Sequence, residues 1–163
     1  MALDDDEFAA LVAEHDRDLR RLAFRLVGDR HAMDDALQDA YVKAFRALPR
    51  FRGASLPRTW LYRIVYNACI DHLRRRRTYA QLDEAVATPA RGDAVAGRAA
   101  LASALAALPV DQRGAVLLVD VQGFTYPEAA AVFDVPVGTV ASRLSRGREA
   151  LRAALAPTRE GAE

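Results

Sequence analysis

The chain has 163 residues, with 23 Lys or Arg against 22 Asp or Glu, a length that fits one domain or two small ones. No apolar run approaches the roughly 20 residues that span a bilayer, and the acidic start MALDDDE is unlike a basic signal peptide, so we expect a cytoplasmic protein without membrane insertion. A single cysteine, Cys69, excludes a disulfide framework, and three scattered histidines form no recognisable metal site.

Apolar residues spaced three and four apart predict an amphipathic helix from Glu7 to Val27 that ends at Gly28. A second helix follows, capped by Asp29 and reaching about Leu48. Its apolar stripe contains Met33, Ala36, Leu37, Ala40, Tyr41, Ala44 and Phe45. At the same spacing the helix carries a polar and acidic flank made of Asp35, Gln38, Asp39, Val42 and Arg46. Such a flank is either a solvated helix face or a docking surface, and the pattern by itself favours the solvated face.

Aromatic residues and arginines alternate in the next segment. A loop from Pro49 to Ser55 leads into a long third helix that finishes in the run Arg74 to Arg77. Cations that bind phosphates, beside rings on which unstacked bases can rest, suit single-stranded nucleic acid. Trp60 lies on the apolar stripe and is expected to pack in the core. Four neighbours lie off that stripe and are expected to be accessible: Tyr62, Arg63, Tyr66 and Asn67.

Periodicity fades between residues 78 and 98, which are rich in Ala, Gly, Pro and Thr, and this predicts a flexible linker between two domains, with a weak helical start near Leu82. In the second domain, Asp111 is the expected cap of a helix that Gly123 closes. Thr125 and Glu128 then form a capping box ahead of a short helix. A turn at 133–135 and a final helix follow.

That final helix, from Val137 to Leu155, has two different edges. At roughly 100° per residue, Val140 and Leu144 fall on an apolar edge. Hydroxyls and arginines gather on the other edge: Thr139, Ser142, Arg143, Ser145 and Arg146. This edge could contact phosphates and base edges of DNA, although an isolated helix of this kind is more simply an amphipathic surface helix.

Two stretches together resemble a known family. DDALQDAYVKAFRALPRF with FRGASLPRTWLYRIVYNACIDHLRRRR resembles region two of the extracytoplasmic-function sigma factors, and LPVDQRGAVLLVDVQGFTYPEAAAVFDVPVGTVASRLSRGREALR resembles their region four. The resemblance implies an all-α fold of two small helical domains. These are a three-to-four-helix bundle over residues 1–77 and a helix-turn-helix domain over 99–157, joined by the linker 78–98 and followed by a disordered tail, 158–163.

The resemblance also implies three sites. In the family the second helix docks on the clamp of the polymerase's largest subunit, and the matching residues here are Asp35, Gln38, Asp39 and Val42. The loop and third helix capture the single-stranded minus-ten element, through the positions of Phe51, Arg52, Ser55, Arg58, Tyr62, Arg63 and Asn67. The last helix enters the major groove at the minus-thirty-five element, with Thr139, Ser142, Arg143, Ser145 and Arg146.

The implied partners are core RNA polymerase, through the clamp and the flap of the second-largest subunit, promoter DNA, and an anti-sigma factor packed between the two domains. No catalytic residue set, cofactor or metal is expected. Ala141 stands where the family commonly has Lys or Arg, and Ser145 where it often has a larger residue. Base readout is therefore expected to rest on Ser142, Arg146 and DNA shape. Gly114 is also unusual inside a helix.

Two other functions remain open. A free-standing helix-turn-helix regulator would account for residues 99–157 but would leave the acidic flank and the aromatic and arginine segment of the first domain unused. An adaptor or anti-sigma-like protein that binds only other proteins would not account for the cationic edge of the last helix.

Overall fold

The computed structural model describes residues 2–82 and 96–157, and the regular elements in these two ranges are all helical. The helices are α1 (Asp5–Val27), α2 (Arg30–Ala47), α3 (Pro57–Leu82), α4 (Ala96–Ala107), α5 (Val110–Val116), α6 (Tyr126–Phe133) and α7 (Val137–Leu155). A 3-10 turn, Leu48–Arg50, follows α2, and a π-helical turn, Leu117–Val121, extends α5. The predicted all-α fold is confirmed. No helix in the described ranges is both long and apolar enough to cross a bilayer.

Local sequence signals define the ends of α1 and α2. Asp4 and Glu7 form a capping box that starts α1, and Gly28 ends it with a φ of 88° that a residue with a Cβ rarely adopts. Asp29 then caps α2, because its Oδ1 accepts a hydrogen bond from the Ala32 N–H at 2.8 Å. α1, α2 and α3 pack around leucines that are almost completely buried, and form the first domain.

α3 is longer than the sequence predicted. It continues through the four arginines to Leu82, and α4 already begins at Ala96, so the segment between these helices is shorter than the predicted linker, 78–98. Arginine is a good helix former, so a run of arginines need not end a helix. The rest of the predicted linker, including most of its weak helical start, and the tail 158–163 lie outside the described residues.

The second domain consists of α4 to α7. The capping box of Thr125 and Glu128 at the start of α6 is confirmed, and Asp134 makes the turn into α7 with a φ of 55°. Asp111 is not the cap of α5, because that helix begins at Val110 after Pro109 and Asp111 lies inside its first turn. Gly147 lets α7 approach α5 closely: a Cβ there would lie 2.9 Å from Val116 Cγ2.

The two domains pack directly against each other. α3 of the first domain lies along α6 of the second, and the C-terminal end of α1 meets α4 and α5. Buried side chains of both domains therefore form one continuous hydrophobic cluster. This packing decides which of the predicted site residues can be reached from solvent.

Candidate nucleic-acid and polymerase-binding surfaces

The exposed edge of α7 carries small hydroxyls and one free-standing arginine. Val140, Leu144 and Gly147 are buried against the rest of the second domain, which fixes the rotation of the helix. Ser142, Ser145 and Arg146 are exposed on the other side, and Thr139 is half-buried. The Ser142 hydroxyl donates to the Thr139 carbonyl at 3.0 Å. Arg146 can therefore extend into solvent, or into a DNA groove, without breaking an internal contact recorded for it.

Arg143 differs from the sequence expectation. Its guanidinium lies 3.6 Å from the Asp111 carboxylate and 5.8 Å from the centre of the Phe133 ring, and its side chain is 23% exposed. The reason is helical geometry: Arg143 is one residue before Leu144 and shares part of the inward-facing side of α7. In this structure it stabilises the second domain and does not belong to the exposed edge.

A second arginine of α7 is also engaged. Arg148 donates two hydrogen bonds to the Asp120 carboxylate, at 2.6 and 3.0 Å, and this pairing raises the pKa of its guanidinium. The bidentate pair joins α7 to the π-helical turn and holds the two elements in register.

The polar flank of α2 faces solvent as the sequence predicts. The four residues at the positions that match the family's clamp contact are all exposed: Asp35, Gln38, Asp39 and Val42. Asp39 accepts a hydrogen bond from Arg75 of α3 at 3.4 Å. This pair is exposed on both sides, so water screens it and leaves the carboxylate available to another cation.

One apolar residue beside this flank was assigned wrongly from its spacing. Phe45 was expected in the core stripe of α2, but its side chain is 53% exposed. It borders a groove of about 540 Å³ between α1 and α2, which Phe8, Val12 and Tyr41 also line. The exposed Val42 lies three residues before Phe45, one turn away, so the polar flank continues into an apolar patch. Three-four spacing did not distinguish Phe45 from a core residue.

The predicted strand-binding residues divide into an accessible and a covered set. Arg52, Arg63 and Asn67 are exposed, and Ser55 is half-buried. The Arg52 guanidinium donates to the Pro49 carbonyl at 2.7 Å, which holds the loop closed. Phe51 is buried, with its ring centre 5.0 Å from that of Trp60.

The covered set lies beneath the second domain. Tyr62 and Tyr66 were expected to be accessible, but they are 0% and 7% exposed. Their rings lie 4.8 Å from Phe124 and Phe133 respectively. Burial raises the pKa of both phenols to about 12, so both are neutral at physiological pH. The expectation was wrong because the sequence shows the stripe that packs within one domain but not the stripe that meets another.

Arg58 and Arg113 join the domains through backbone carbonyls. Arg58 donates to the Gln122 carbonyl at 2.7 Å, and its guanidinium lies 4.1 Å above the Phe124 ring. Arg113 of α5 donates to the Leu26 carbonyl at 2.9 Å, at the C-terminal end of α1. Burial lowers the pKa of Arg113 from its usual value. No sequence signal pointed to Arg113 as a contact between domains.

Comparison with family models gives two matches in chain order. Residues 11–79 match the model for sigma-70 region 2, and residues 98–151 match the model for sigma-70 region 4. The gap between the two matches, residues 80–97, contains the segment that separates α3 from α4.

Curated relatives are similar over most of their length. The chain is 40% identical to the ECF RNA polymerase sigma factor SigM of Mycobacterium tuberculosis, over 88% of this chain and 74% of that protein. It is 36% identical to the RNA polymerase sigma-H factor of Pseudomonas aeruginosa, covering 94% and 89% of the two chains. The ECF RNA polymerase sigma-E factor of Escherichia coli is 34% identical, with 91% and 86% covered.

Solved structures with the same fold include two complexes. The sigma factor RpoE of Bartonella quintana, bound to the anti-sigma factor NepR, matches with a TM-score of 0.82 and 28% identity, over 94% of this chain and 99% of that one. CnrH in complex with the cytosolic domain of CnrY matches with a TM-score of 0.71 and 31% identity, over 93% and 89%.

Proposed function

Because this chain belongs to the extracytoplasmic-function sigma factors of the sigma-70 family, which bind core RNA polymerase and direct it to promoters, we propose how its surfaces divide that work. The observation that carries the proposal is the occurrence of both sigma-70 regions in one chain. Each region has an exposed polar surface on a helix proposed to bind a partner: α2 in the first domain and α7 in the second. A sigma factor supplies recognition and strand separation, and the polymerase supplies the chemistry of RNA synthesis. Its place of action is then the cytoplasm, where core polymerase transcribes.

The exposed edge of α7 is proposed to read the minus-thirty-five element in the major groove. Arg146 is the principal base-contacting residue, since a guanidinium can donate two hydrogen bonds to a guanine edge. Ser142 and Ser145 supply short hydroxyl contacts, and Thr139 lies at the helix start, near the phosphates. With few long side chains on this edge, DNA shape contributes to selection.

The loop and α3 are proposed to hold the separated non-template strand of the minus-ten element. Arg52, Arg63 and Asn67 are exposed there and can contact phosphates or extruded bases. Arg58 and Tyr62 join this surface only after the second domain moves off them. Phe51 supports the loop from beneath through its contact with Trp60.

The flank of α2 is proposed to bind the clamp of the polymerase's largest subunit. Asp35, Gln38 and Asp39 offer exposed acidic and amide groups, and Val42 leads to the exposed ring of Phe45. A charged rim beside an apolar patch is the usual composition of a protein interface. The flap of the second-largest subunit is proposed to contact the second domain.

An anti-sigma factor is a further proposed partner. The two solved structures named above are complexes with inhibitors, which supports one for this chain. The side chains of α3 and α6 already fill the space between the domains, so an inhibitor packed there would first have to separate them. One bound on the outside would instead stabilise the packed arrangement.

Reconstitution tests the function. The purified chain is mixed with core RNA polymerase and a panel of genomic promoter fragments, and run-off transcripts are measured. Fragment-specific transcripts that require both the chain and the core are expected. Failure to direct transcription from any fragment, together with tight duplex binding by the chain alone, would identify a free-standing helix-turn-helix regulator.

A further inference from the structure

The last helix, α7, is held in the second domain by a small apolar surface. Its buried residues are Val140, Leu144 and Gly147. Gly147 lies so close to α5 that a Cβ would be 2.9 Å from Val116 Cγ2 and 3.2 Å from the Gln112 carbonyl oxygen. Burial of these residues determines which side of α7 faces inward. Apolar contacts are not directional, however, so they leave a small rotation about the helix axis open.

A directional contact adjoins this apolar surface. Arg148 directly follows Gly147 and lies one turn after Leu144, at the edge of the inward-facing side. Its Nη2 donates to Asp120 Oδ1 at 2.6 Å, and its Nε donates to Asp120 Oδ2 at 3.0 Å. Among the ion pairs of the described residues, this is the one in which a guanidinium bonds both oxygens of one carboxylate. Two parallel bonds between planar groups fix their relative orientation as well as their distance.

Asp120 belongs to an unusual piece of backbone. It lies in the π-helical turn Leu117–Val121, where the Gln122 N–H donates to the Leu117 carbonyl at 3.0 Å. Single π-helical turns are rare and occur frequently at functional sites. Leu117 and Leu118, at the start of this turn, are buried in the hydrophobic core. The backbone that carries Asp120 is therefore anchored, and α7 is attached to it through Arg148.

Helical geometry transmits this attachment to the exposed edge of α7. Arg146 precedes Arg148 by two residues, which at about 100° per residue places the two side chains on nearly opposite sides of the helix. A rotation of α7 therefore moves both side chains by the same angle. A binding residue must be held within about 0.5 Å and 10–20° of its productive geometry. Holding Arg148 in place thus fixes the direction in which Arg146 leaves the helix.

We propose that Asp120 and Arg148 are positioning residues for selection of the minus-thirty-five element: their ion pair sets the rotation of α7 at which Arg146 meets its base. Neither residue has to touch DNA for this role. The inference rests on the proposed function and deepens it, since it concerns how the same edge of α7 selects a promoter. It makes promoter preference depend on an acidic residue outside the helix that enters the groove.

Asp120→Asn tests the inference with almost no change of shape. An amide has one oxygen, so it cannot accept both hydrogen bonds from the guanidinium. Run-off transcription with core polymerase is measured from the preferred promoter and from variants with single changes in the minus-thirty-five element. We expect the preference to fall by about fivefold, the lower end of the value of a bidentate contact to a base. Arg148→Lys keeps the charge but not the planar fork, so it should lose the same preference.

Two comparisons separate positioning from simple stabilisation. In an Arg146→Ala background, Asp120→Asn should cause no further loss of preference, because it acts through that arginine. Asp111→Asn is the matched control: it makes the same substitution in a second ion pair of α7, where Asp111 lies 3.6 Å from Arg143. This control should lower the melting temperature and leave the ranking of promoters unchanged.

The rotation of α7 is measured separately, without DNA or polymerase. Spin labels at Ala131→Cys on α6 and Glu149→Cys on α7, both exposed positions, report a distance within the second domain of the full chain. The native Cys69 is buried and should not take up label. We expect a narrow distance distribution when Asp120 is present and a broader or shifted one in Asp120→Asn. Circular dichroism checks that each variant folds, and Arg148→Lys replaces Asp120→Asn if the latter does not.

Several results would overturn the inference: an unchanged distance distribution in Asp120→Asn, an unchanged promoter preference, or an equal loss of preference in Asp111→Asn. Additive losses in the Arg146→Ala background would overturn it as well. A preference preserved in Arg148→Lys, with weaker salt dependence of binding, would identify Arg148 as a phosphate contact instead. Absence of run-off transcription by the wild type would contradict the proposed function itself, and the distance distributions would still test whether the ion pair holds α7.

Discussion

Two arginines of α7, three positions apart, have different surroundings. Arg146 is exposed, whereas Arg143 is held between Asp111 and Phe133. A side chain that already has an internal partner must give up that partner before it can contact DNA. We therefore expect selection of the minus-thirty-five element to depend on Arg146, and Arg143 to contribute to the stability of the domain.

Substitution separates these two roles. Arg146→Ala should weaken selection of the preferred minus-thirty-five sequence by about 1 to 3 kcal/mol, the value of a bidentate contact to a base. The measurement is run-off transcription from the preferred promoter and from variants with single changes in that element. Arg143→Ala is the control, and it should lower the melting temperature while leaving the ranking of promoters unchanged.

An altered result would reassign Arg146. If Arg146→Ala leaves the promoter ranking intact and reduces only the dependence of binding on salt, the residue contacts a phosphate and not a base.

The exposure of some side chains could be predicted from the sequence, and that of others could not. The exposed hydroxyls of α7 followed from helical periodicity, because one domain supplies all the buried contacts of that helix. Phe45 and Arg143 did not follow, because each lies at the boundary between an inward and an outward face, where a rotation of some tens of degrees changes the outcome.

At the scale of the element, α2 is the helix that we expect to attach the chain to polymerase. Among the residues that the structure describes, its exposed acidic flank has a recorded ion-pair partner only in Arg75, through a screened contact with Asp39. A change on this flank should therefore affect assembly and not folding.

Asp39→Arg should abolish stable assembly with core polymerase, because it places a cation where the clamp is proposed to meet an acid. Glu14→Arg makes the same change of charge at an exposed position of α1, outside the α2 flank. Retention on immobilised core polymerase is measured, with circular dichroism as the check on folding. Equal retention of Asp39→Arg and Glu14→Arg would contradict the assignment of α2.

The start of α6 is stabilised by a pH-dependent cap. Glu128 Oε2 accepts hydrogen bonds from the Thr125 N–H at 2.8 Å and from its hydroxyl at 3.0 Å, and these bonds lower the pKa of the Glu128 carboxyl. Since the lowered pKa favours the ionised form in the folded state, the contribution is complete above the unfolded pKa of about 4.3. It is lost as the pH falls through the folded pKa.

Thr125→Ala should lower the free energy of unfolding by about 1 kcal/mol at pH 7. Urea unfolding is measured at pH 7 and again below pH 4, where the difference between this variant and the wild type should shrink. Thr78→Ala is the matched control, because that hydroxyl only donates to the Arg74 carbonyl within α3. An effect of Thr78→Ala as large as that of Thr125→Ala would show that the cap is not the cause.

Caps and turns were predictable from the sequence because their signals are local. Gly28, Asp29 and the Thr125 capping box each act within four residues, and each is found where the sequence predicts it. The end of α3 was not predictable in the same way. No residue between Arg74 and Leu82 breaks a helix, so the compositional change at Thr78 marked the end of the amphipathic pattern and not the end of the helix.

At the scale of the whole molecule, the sequence predicts two helical domains but not their packing. The buried rings of Tyr62 and Tyr66 lie on a side of α3 next to the side that packs in its own domain, and each carries a hydroxyl that is compatible with exposure. Gly114 was visible only as a departure from helix propensity. The structure explains this glycine by its contact with Tyr66, which is 48 positions away in the sequence.

We expect this chain, together with core polymerase, to open a promoter. Permanganate oxidation of unpaired thymines detects the opening, on a fragment that gives a run-off transcript or, failing that, on each fragment of the panel. We predict reactive thymines in the minus-ten region only when the chain and the core are both present. Protection of a duplex site by the chain alone, with no reactive thymine after core polymerase is added, would contradict the account.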